Sequence, residues 1–198
     1  MGTACTGGQV PPSAAPSDAS TSTSASPTPS ATPTPATTAS YKPADAKGRA
    51  QNVPVPVLPE AAKAKTKEGL EAFARYWYST LTYAYETGNV GPLESVSAPT
   101  CASCAKVKKV VQGWHSDGRW LAGGKMVVEE SQSTFVPIGV SQYQVVIQVH
   151  QEPLSYYRAD KSLDETTQPS PAIGDIMLAS YGGGAWKAIT VEHLVKTP

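Results

Sequence analysis

The chain has 198 residues, room for one domain or two small ones. Sixteen Lys and Arg residues balance sixteen Asp and Glu residues, the pI is near 6.8, and no basic stripe runs along the sequence. Nucleic-acid binders use such a stripe to replace counterions on phosphate, so nucleic acid is not an expected partner. No apolar run is long enough to span a bilayer as a helix, so if a membrane is involved something else holds the chain to it.

Met1 to Cys5 has neither the basic region nor the apolar segment of a signal peptide. Thr3-Ala4-Cys5-Thr6-Gly7-Gly8 nevertheless resembles the end of a bacterial lipobox, in which a small residue precedes a cysteine that is diacylated and becomes the mature N-terminus. Gly2 stands where an aliphatic residue is usual and the upstream hydrophobic segment is missing, so the expectation is a start assigned too late or a trimmed chain. The same residues fit an N-myristoylation pattern, with Gly2 as acceptor and Cys5 open to palmitate, and an inert N-terminus is the third alternative. Myristoylation belongs to cytosolic eukaryotic proteins, whereas the rest of the chain fits export. Cys5 is therefore the expected lipid attachment, and two acyl chains on it suffice for stable anchoring where one myristate does not.

From Thr6 to about Ser40 the sequence is almost entirely Ser, Thr, Ala and Pro, with Asp18 its only charge. Such a segment cannot bury enough apolar surface to offset its ordering entropy and is expected to be disordered. Its prolines favour extended polyproline II, at ~3.1 Å per residue, and its Ser/Thr/Pro composition also suits O-glycosylation. Val53-Pro54-Val55-Pro56-Val57 continues the tether and is expected to dock its end on the domain. Residues 1–58 are thus read as anchor and tether, and 59–198 as one folded domain.

Glu60-Ala61-Ala62-Lys63-Ala64-Lys65 are good helix formers. Leu70, Phe73, Ala74, Trp77, Leu81 and Ala84 then recur at helical spacing, and Tyr76, Tyr83 and Tyr85 widen the stripe. Gly88-Asn89 ends this long helix. Pro92 suits the first turn of a short second helix carrying Leu93 and Val96. Pro99 and Thr100 are expected to cap a third, from Cys101 to about His115, with Cys104, Val107, Val110, Val111 and Trp114 inward and Lys106, Lys108 and Lys109 opposite.

Beyond Gly118 the period becomes two. Tyr143, Val145, Ile147 and Val149 mark the clearest strand, preceded by Met126 to Val136 and a turn at Pro137-Ile138-Gly139. Asp175 to Tyr181 and Ala185 to Val195 predict a second hairpin around Gly182-Gly183-Gly184, and Trp120-Leu121 a short edge strand. Pro153 to Ile173 is polar and without clear period, and is expected to form a mobile flap. Helices followed by antiparallel strands make an α+β domain, a curved sheet folded over the long helix, with Phe73, Trp77, Trp114, Ile147 and Trp186 in its core.

This order of elements resembles the cystatin-like or nuclear-transport-factor-like cone. Phe73-Ala74-Arg75-Tyr76, Tyr83-Ala84-Tyr85-Glu86-Thr87-Gly88-Asn89, Ser97-Ala98-Pro99-Thr100-Cys101-Ala102-Ser103-Cys104 and Gly123-Gly124 together resemble an uncharacterised family of lipoproteins from high-GC Gram-positive bacteria. The resemblance spans about residues 55 to 195. It implies the location and the fold, and brings no activity, cofactor or catalytic residue.

Cys101-Ala102-Ser103-Cys104 is the one sharp motif. The expected role is a disulfide locking the first turn of the third helix, which the loop-entropy model values at about 2 kcal/mol. The alternative is a dithiol oxidoreductase, with the Cys101 thiolate stabilised by the helix N-terminus, although no βαβ unit surrounds the motif. No second Cys/His pair stands at zinc spacing. His115, His150 and His193 are scattered, and Glu129-Glu130 on a strand puts one carboxylate on each face. Asp175 is expected to open a strand. Tyr76, Tyr83 and Asp175 could serve a cone-type isomerase, but core packing accounts for the tyrosines. No nucleophile elbow, phosphate loop or HExxH helix is present, so no catalytic residue, metal or cofactor is assigned.

The function expected is therefore a non-catalytic, monomeric binding module, lipid-anchored on the outer face of the bacterial cytoplasmic membrane. Its expected partner is an envelope protein, a cell-wall polymer or a small apolar ligand. The alternatives are an extracytoplasmic thiol–disulfide oxidoreductase using Cys101 and Cys104, a small cone-type isomerase, or a purely structural domain.

Overall fold

The structure is a computed structural model and describes residues 39–194; Cys5 and most of the expected tether lie outside them. Three α-helices precede or flank eight strands: α1 (Lys67–Thr87), α2 (Gly91–Ser95), α3 (Ala102–His115), β1 (Trp120–Gly123), β2 (Met126–Gln132), β3 (Pro137–Gly139), β4 (Gln142–Gln151), β5 (Leu154–Tyr157), β6 (Leu163–Thr166), β7 (Ile173–Gly182) and β8 (Ala185–His193). The class is α+β, as the sequence predicts. Residues Glu60–Lys63 form a short 3-10 turn rather than an α-helical one.

Thr66 caps α1, its side chain accepting from Gly69 N, and Gly88 ends it in the left-handed conformation at φ 75°. A Cβ on Gly69 would stand 2.1 Å from the Ala64 carbonyl oxygen, so only glycine lets the 3-10 turn fold back this tightly on α1. Leu70, Phe73, Ala74, Trp77, Tyr78 and Leu81 face the concave side of an antiparallel sheet of order β2-β4-β7-β8, with β3 beside β2 on the same edge of β4. Tyr143, Val145, Ile147 and Val149 of β4 and Asp175, Met177 and Ala179 of β7 point inward, while the alternate residues face out. Register shifts between Val128 and Glu130 and between Leu178 and Ala179 add local twist, which helps the sheet curve over α1. The outer edge of β8 is covered by the chain between α2 and α3. Ala188 N donates to Val96 O at 2.9 Å and Ala98 N to Ala188 O at 2.7 Å.

Five local expectations are corrected. The stretch Pro153 to Ile173 is not an unpaired flap: β5 and β6 form a hairpin that pairs with β1 in a separate three-stranded sheet, order β1-β5-β6. Its short strands alternate too little to reveal themselves by period. The turn before β4 is not Pro137-Ile138-Gly139, which pairs with β4 as a strand, but Val140-Ser141, with Ser141 at φ 54°. Trp114 is only half-buried, because α3 touches the sheet mainly through its first half, and Val110 is 56% exposed. The cap of α3 is Cys101, whose sulfur accepts from Cys104 N at 3.2 Å, in place of Pro99 or Thr100.

Order also begins ahead of Pro59. Lys42 and Gln51 pair as an isolated bridge, and Asp45 Oδ1 accepts from Lys47 N at 2.8 Å and Gly48 N at 3.2 Å. Arg49 donates to the carbonyls of His115 at 3.1 Å and Arg119 at 2.9 Å, a cation on the C-terminal end of α3. Trp120 Nε1 donates to Asp45 O at 2.9 Å. These polar groups are satisfied against α3 and β1, so a segment of low hydrophobicity folds without an apolar core of its own.

Candidate functional site

Beside the C-terminal half of α1 lies a cavity of about 320 Å³. Trp77, Tyr78, Leu81 and Tyr85 of α1 and Val107 of α3 form one wall; Val149, Ile173 and Val191 form the other. The lining is therefore largely aliphatic and aromatic, and such sites orient a ligand through a few polar groups.

Those groups converge at one end. Asp175, 2% exposed, sits on the inward face of β7 directly across from His193 of β8. The buried Tyr78 hydroxyl donates to Asp175 Oδ2, and His193 Nδ1 lies 2.5 Å from Asp175 Oδ1. A carboxylate is acceptor-only, so the imidazole is the donor there. Both carboxylate oxygens are thereby engaged, which is how a buried charge is made tolerable. Burial, and then the hydrogen bond to Asp175, raises the Tyr78 pKa far above the ordinary phenol value and keeps it a donor. The His193 side chain is 68% exposed, so the chain Tyr78–Asp175–His193 runs from the core to the cavity mouth.

Of the residues singled out in the sequence, Asp175 and His193 meet here, although Asp175 lies inside β7 rather than opening it. Tyr76 instead donates to Pro56 O at 3.2 Å, and Tyr83 does not line the cavity. Tyr78 escaped the sequence reading. It stands four residues after Ala74 and three before Leu81, so the stripe itself contained it. His150 lies 3.0 Å from Glu129, and His115 caps the far side of α1 by donating through Nε2 to Tyr85 O at 2.8 Å. Glu130 accepts from its neighbour Gln132. No group of three or more His, Cys, Asp or Glu is arranged to hold a metal among the described residues.

The Cys101 and Cys104 sulfurs stand at disulfide distance, their Cα atoms 5.2 Å apart. They line a second depression of about 330 Å³ with Leu93, Ala98 and Pro99. Cys101 is 2% exposed, however, and its sulfur is used as the helix cap. A sulfur this buried and held as a helix cap is poorly placed for attack by an external thiolate. The first cavity therefore has the stronger claim to a ligand.

A family model described as a family of unknown function, DUF6318, matches residues 39–192. The chain belongs to that family. DUF6318 thus begins at the segment carrying Lys42 and Asp45, ahead of the compositional boundary at residue 58. No curated protein matches the chain. Among solved structures it is similar to the intermembrane-space region of the chloroplast protein ARC6, at 8% identity and TM-score 0.49, covering 66% of this chain and 98% of that one. It is similar also to Aln2 from a Streptomyces species, at 9% identity and TM-score 0.40, covering 63% and 89%. A protein of unknown function with a cystatin-like fold from Nostoc punctiforme matches at 7% identity and TM-score 0.33, covering 64% and 89%. Likenesses this distant say nothing of what DUF6318 binds.

Proposed function

We propose that this chain is a non-catalytic binding module that takes a small, largely apolar ligand bearing one polar group, and that Cys5 tethers it to the outer face of the bacterial cytoplasmic membrane as a monomeric lipoprotein. The observation that carries the ligand reading is the cavity beside α1, whose apolar walls end in the Tyr78–Asp175–His193 chain. The ligand's apolar body lies against Trp77, Leu81 and Ile173, and its polar group meets His193. Both oxygens of Asp175 are already occupied, so the carboxylate serves to fix the imidazole rather than to take a proton from a ligand. The anchor and the envelope location rest on Thr3-Ala4-Cys5 and on the Ser/Thr/Pro-rich sequence after it. The buried Cys101–Cys104 pair supports a structural clasp over a thiol–disulfide oxidoreductase.

One observation favours a second reading. A histidine held at Nδ1 by a buried carboxylate is also the arrangement of a general base, with Nε2 turned to the substrate. A cone-type isomerase would use His193 in that role.

Both are tested with 1-aminoanthracene, a neutral fluorophore that brightens in apolar pockets. The wild-type chain is expected to bind it, Ile173→Trp to lose binding by filling the cavity, and Tyr76→Phe to bind as wild type. Binding unaffected by Ile173→Trp, with the fold intact by circular dichroism, overturns the ligand reading. Base-type activity on a 3-keto-Δ5 steroid or a related enolisable ketone, abolished in His193→Gln, would replace it with the isomerase.

A further inference from the structure

The hairpin tip between β3 and β4 is apolar and left uncovered by the fold. Val136, Ile138 and Val140, at alternate positions, are 60%, 56% and 95% exposed. Pro137 and Gly139 between them are exposed as well. A single exposed aliphatic needs no explanation, but three within five residues form a patch. The segment is bounded at both ends by residues in the left-handed region, Phe135 at φ 55° and Ser141 at φ 54°. That conformation is uncommon for a side chain as bulky as phenylalanine, and the surrounding structure has to fix it. The Phe135 ring stacks on Tyr143 at 4.5 Å, and its N–H donates to Ser133 Oγ at 3.0 Å.

This tip also lacks the charges that commonly guard an exposed strand. No Asp, Glu, Lys or Arg occurs from Ser131 to Gln151. The turn between β7 and β8 is joined to it by Tyr181 N, which donates to Ser141 O at 3.0 Å. That turn is likewise uncharged, from Ile176 to Trp186. By contrast β6, the other strand exposed along its whole length, carries Asp164 and Glu165. Lys65 lies over the rings of Tyr143 and Tyr181, at 5.7 and 6.0 Å, so that cation is engaged within the fold.

We propose that this tip dips into the surface of the membrane to which Cys5 tethers the chain, with Val136, Ile138 and Val140 entering the edge of the acyl layer. The inference rests on the anchored reading given above. A bilayer takes up protruding aliphatic side chains without offering them a matched surface. A stable protein interface buries on the order of 800 Å² per partner, more than three aliphatics on a tip supply. Pro137 lacks an N–H, which also spoils the β3 edge for pairing with a strand of a second copy. Three aliphatics hold a free domain only weakly, but just 34 positions separate Cys5 from Ala39. At no more than ~3.6 Å per residue, that length keeps the domain within about 120 Å of the bilayer, where high local concentration raises the occupancy of a weak contact. The contact sets which end of the domain faces the membrane.

The full chain has three cysteines, and with Cys101 paired to Cys104 only Cys5 offers a thiol. Coupling Cys5 to a maleimide lipid in phosphatidylcholine vesicles supplies an anchor whether or not the cell acylates it. Amide hydrogen exchange over residues 133–143 is then compared with that of the same chain capped by N-ethylmaleimide in solution. On vesicles, exchange is expected to slow about threefold or more in this segment and to stay unchanged in β6. Ile138→Asp with Val140→Asp should abolish the slowing while leaving the melting temperature and 1-aminoanthracene binding in solution unchanged. Because the tip is uncharged, the slowing should persist in about 0.5 M salt. Equal exchange in the two samples overturns the proposal, as does slowing that requires anionic lipid and vanishes in salt. Slowing that appears in solution as the chain is concentrated also overturns it, and assigns the tip to a second copy. The anchored reading fails separately, if Cys5 of chain recovered from its source cells carries no acyl group.

Discussion

The two ends of α1 are built from the same kinds of residue and do opposite things. At the N-terminal end, Phe73 packs on Trp186 at 6.4 Å, and Trp186 is boxed by Tyr143 at 5.5 Å and Tyr181 at 4.9 Å. Trp186 Nε1 donates to Ala64 O and Tyr181 donates to Lys63 O, both at 2.9 Å, which ties the 3-10 turn over the sheet. At the C-terminal end, Trp77, Tyr78, Leu81 and Tyr85 face a cavity and a buried carboxylate. The difference is neither hydrophobicity nor room, since both ends border a cavity, but where the aromatic polar tips are spent. At the N-terminal end they bond backbone carbonyls, and at the C-terminal end Tyr78 spends its hydroxyl on the buried Asp175.

The sharpest way to break the comparison is at the N-terminal end. Trp186→Ala removes a fully packed indole and should cost about 3–5 kcal/mol in urea-induced unfolding. Where the variant still folds, 1-aminoanthracene should bind the other end with unchanged affinity; a parallel loss of dye binding would mean that the two ends are one cooperative site. At the C-terminal end, Tyr78→Phe strips the buried Asp175 of one of its two partners and should cost about 1–3 kcal/mol, measured in the same way. A loss no larger than that of an exposed tyrosine would show that the carboxylate chain does not hold this end together.

The smallest effect is a pH dependence behind α1. His115 donates through Nε2 to Tyr85 O, and its buried Nδ1 has no partner among the described residues. Burial lowers its pKa below the usual 6.5, with Arg49 adding to the shift against the opposing bond to Tyr85. The unfolded chain then takes up a proton near pH 6.5 while the folded one does not. Stability should therefore be flat above that pH and fall as the pH drops through the depressed value. Melting temperatures from pH 5 to 8 should show a smaller decline in His115→Gln than in the wild type; identical profiles would assign the acid sensitivity to other groups.

Periodicity carried most of the fold. The stripe from Leu70 to Ala84, the alternation from Tyr143 to Val149 and the glycines after Tyr181 specify the long helix, the central strand and the last hairpin, because each is set by the geometry of its own segment. The hairpin of β5 and β6 was not legible, since four-residue strands hold too few alternations to stand out from a loop. Nor was the docking of residues 41 to 52, which depends on carbonyls of α3 and β1 distant in sequence.

The candidate site divides in the same way. Sequence alone placed Asp175 and His193 on strands and a tyrosine-rich face on the long helix, and it paired Cys101 with Cys104 across one helical turn. Only the tertiary structure decided that Tyr78, rather than Tyr76 or Tyr83, reaches Asp175 across 97 positions of chain, and that His193 lies opposite it in the register of β7 and β8. Local spacing fixes which way a side chain points along its own element. The partner it meets there is set by how the elements cross, and no segment contains that by itself.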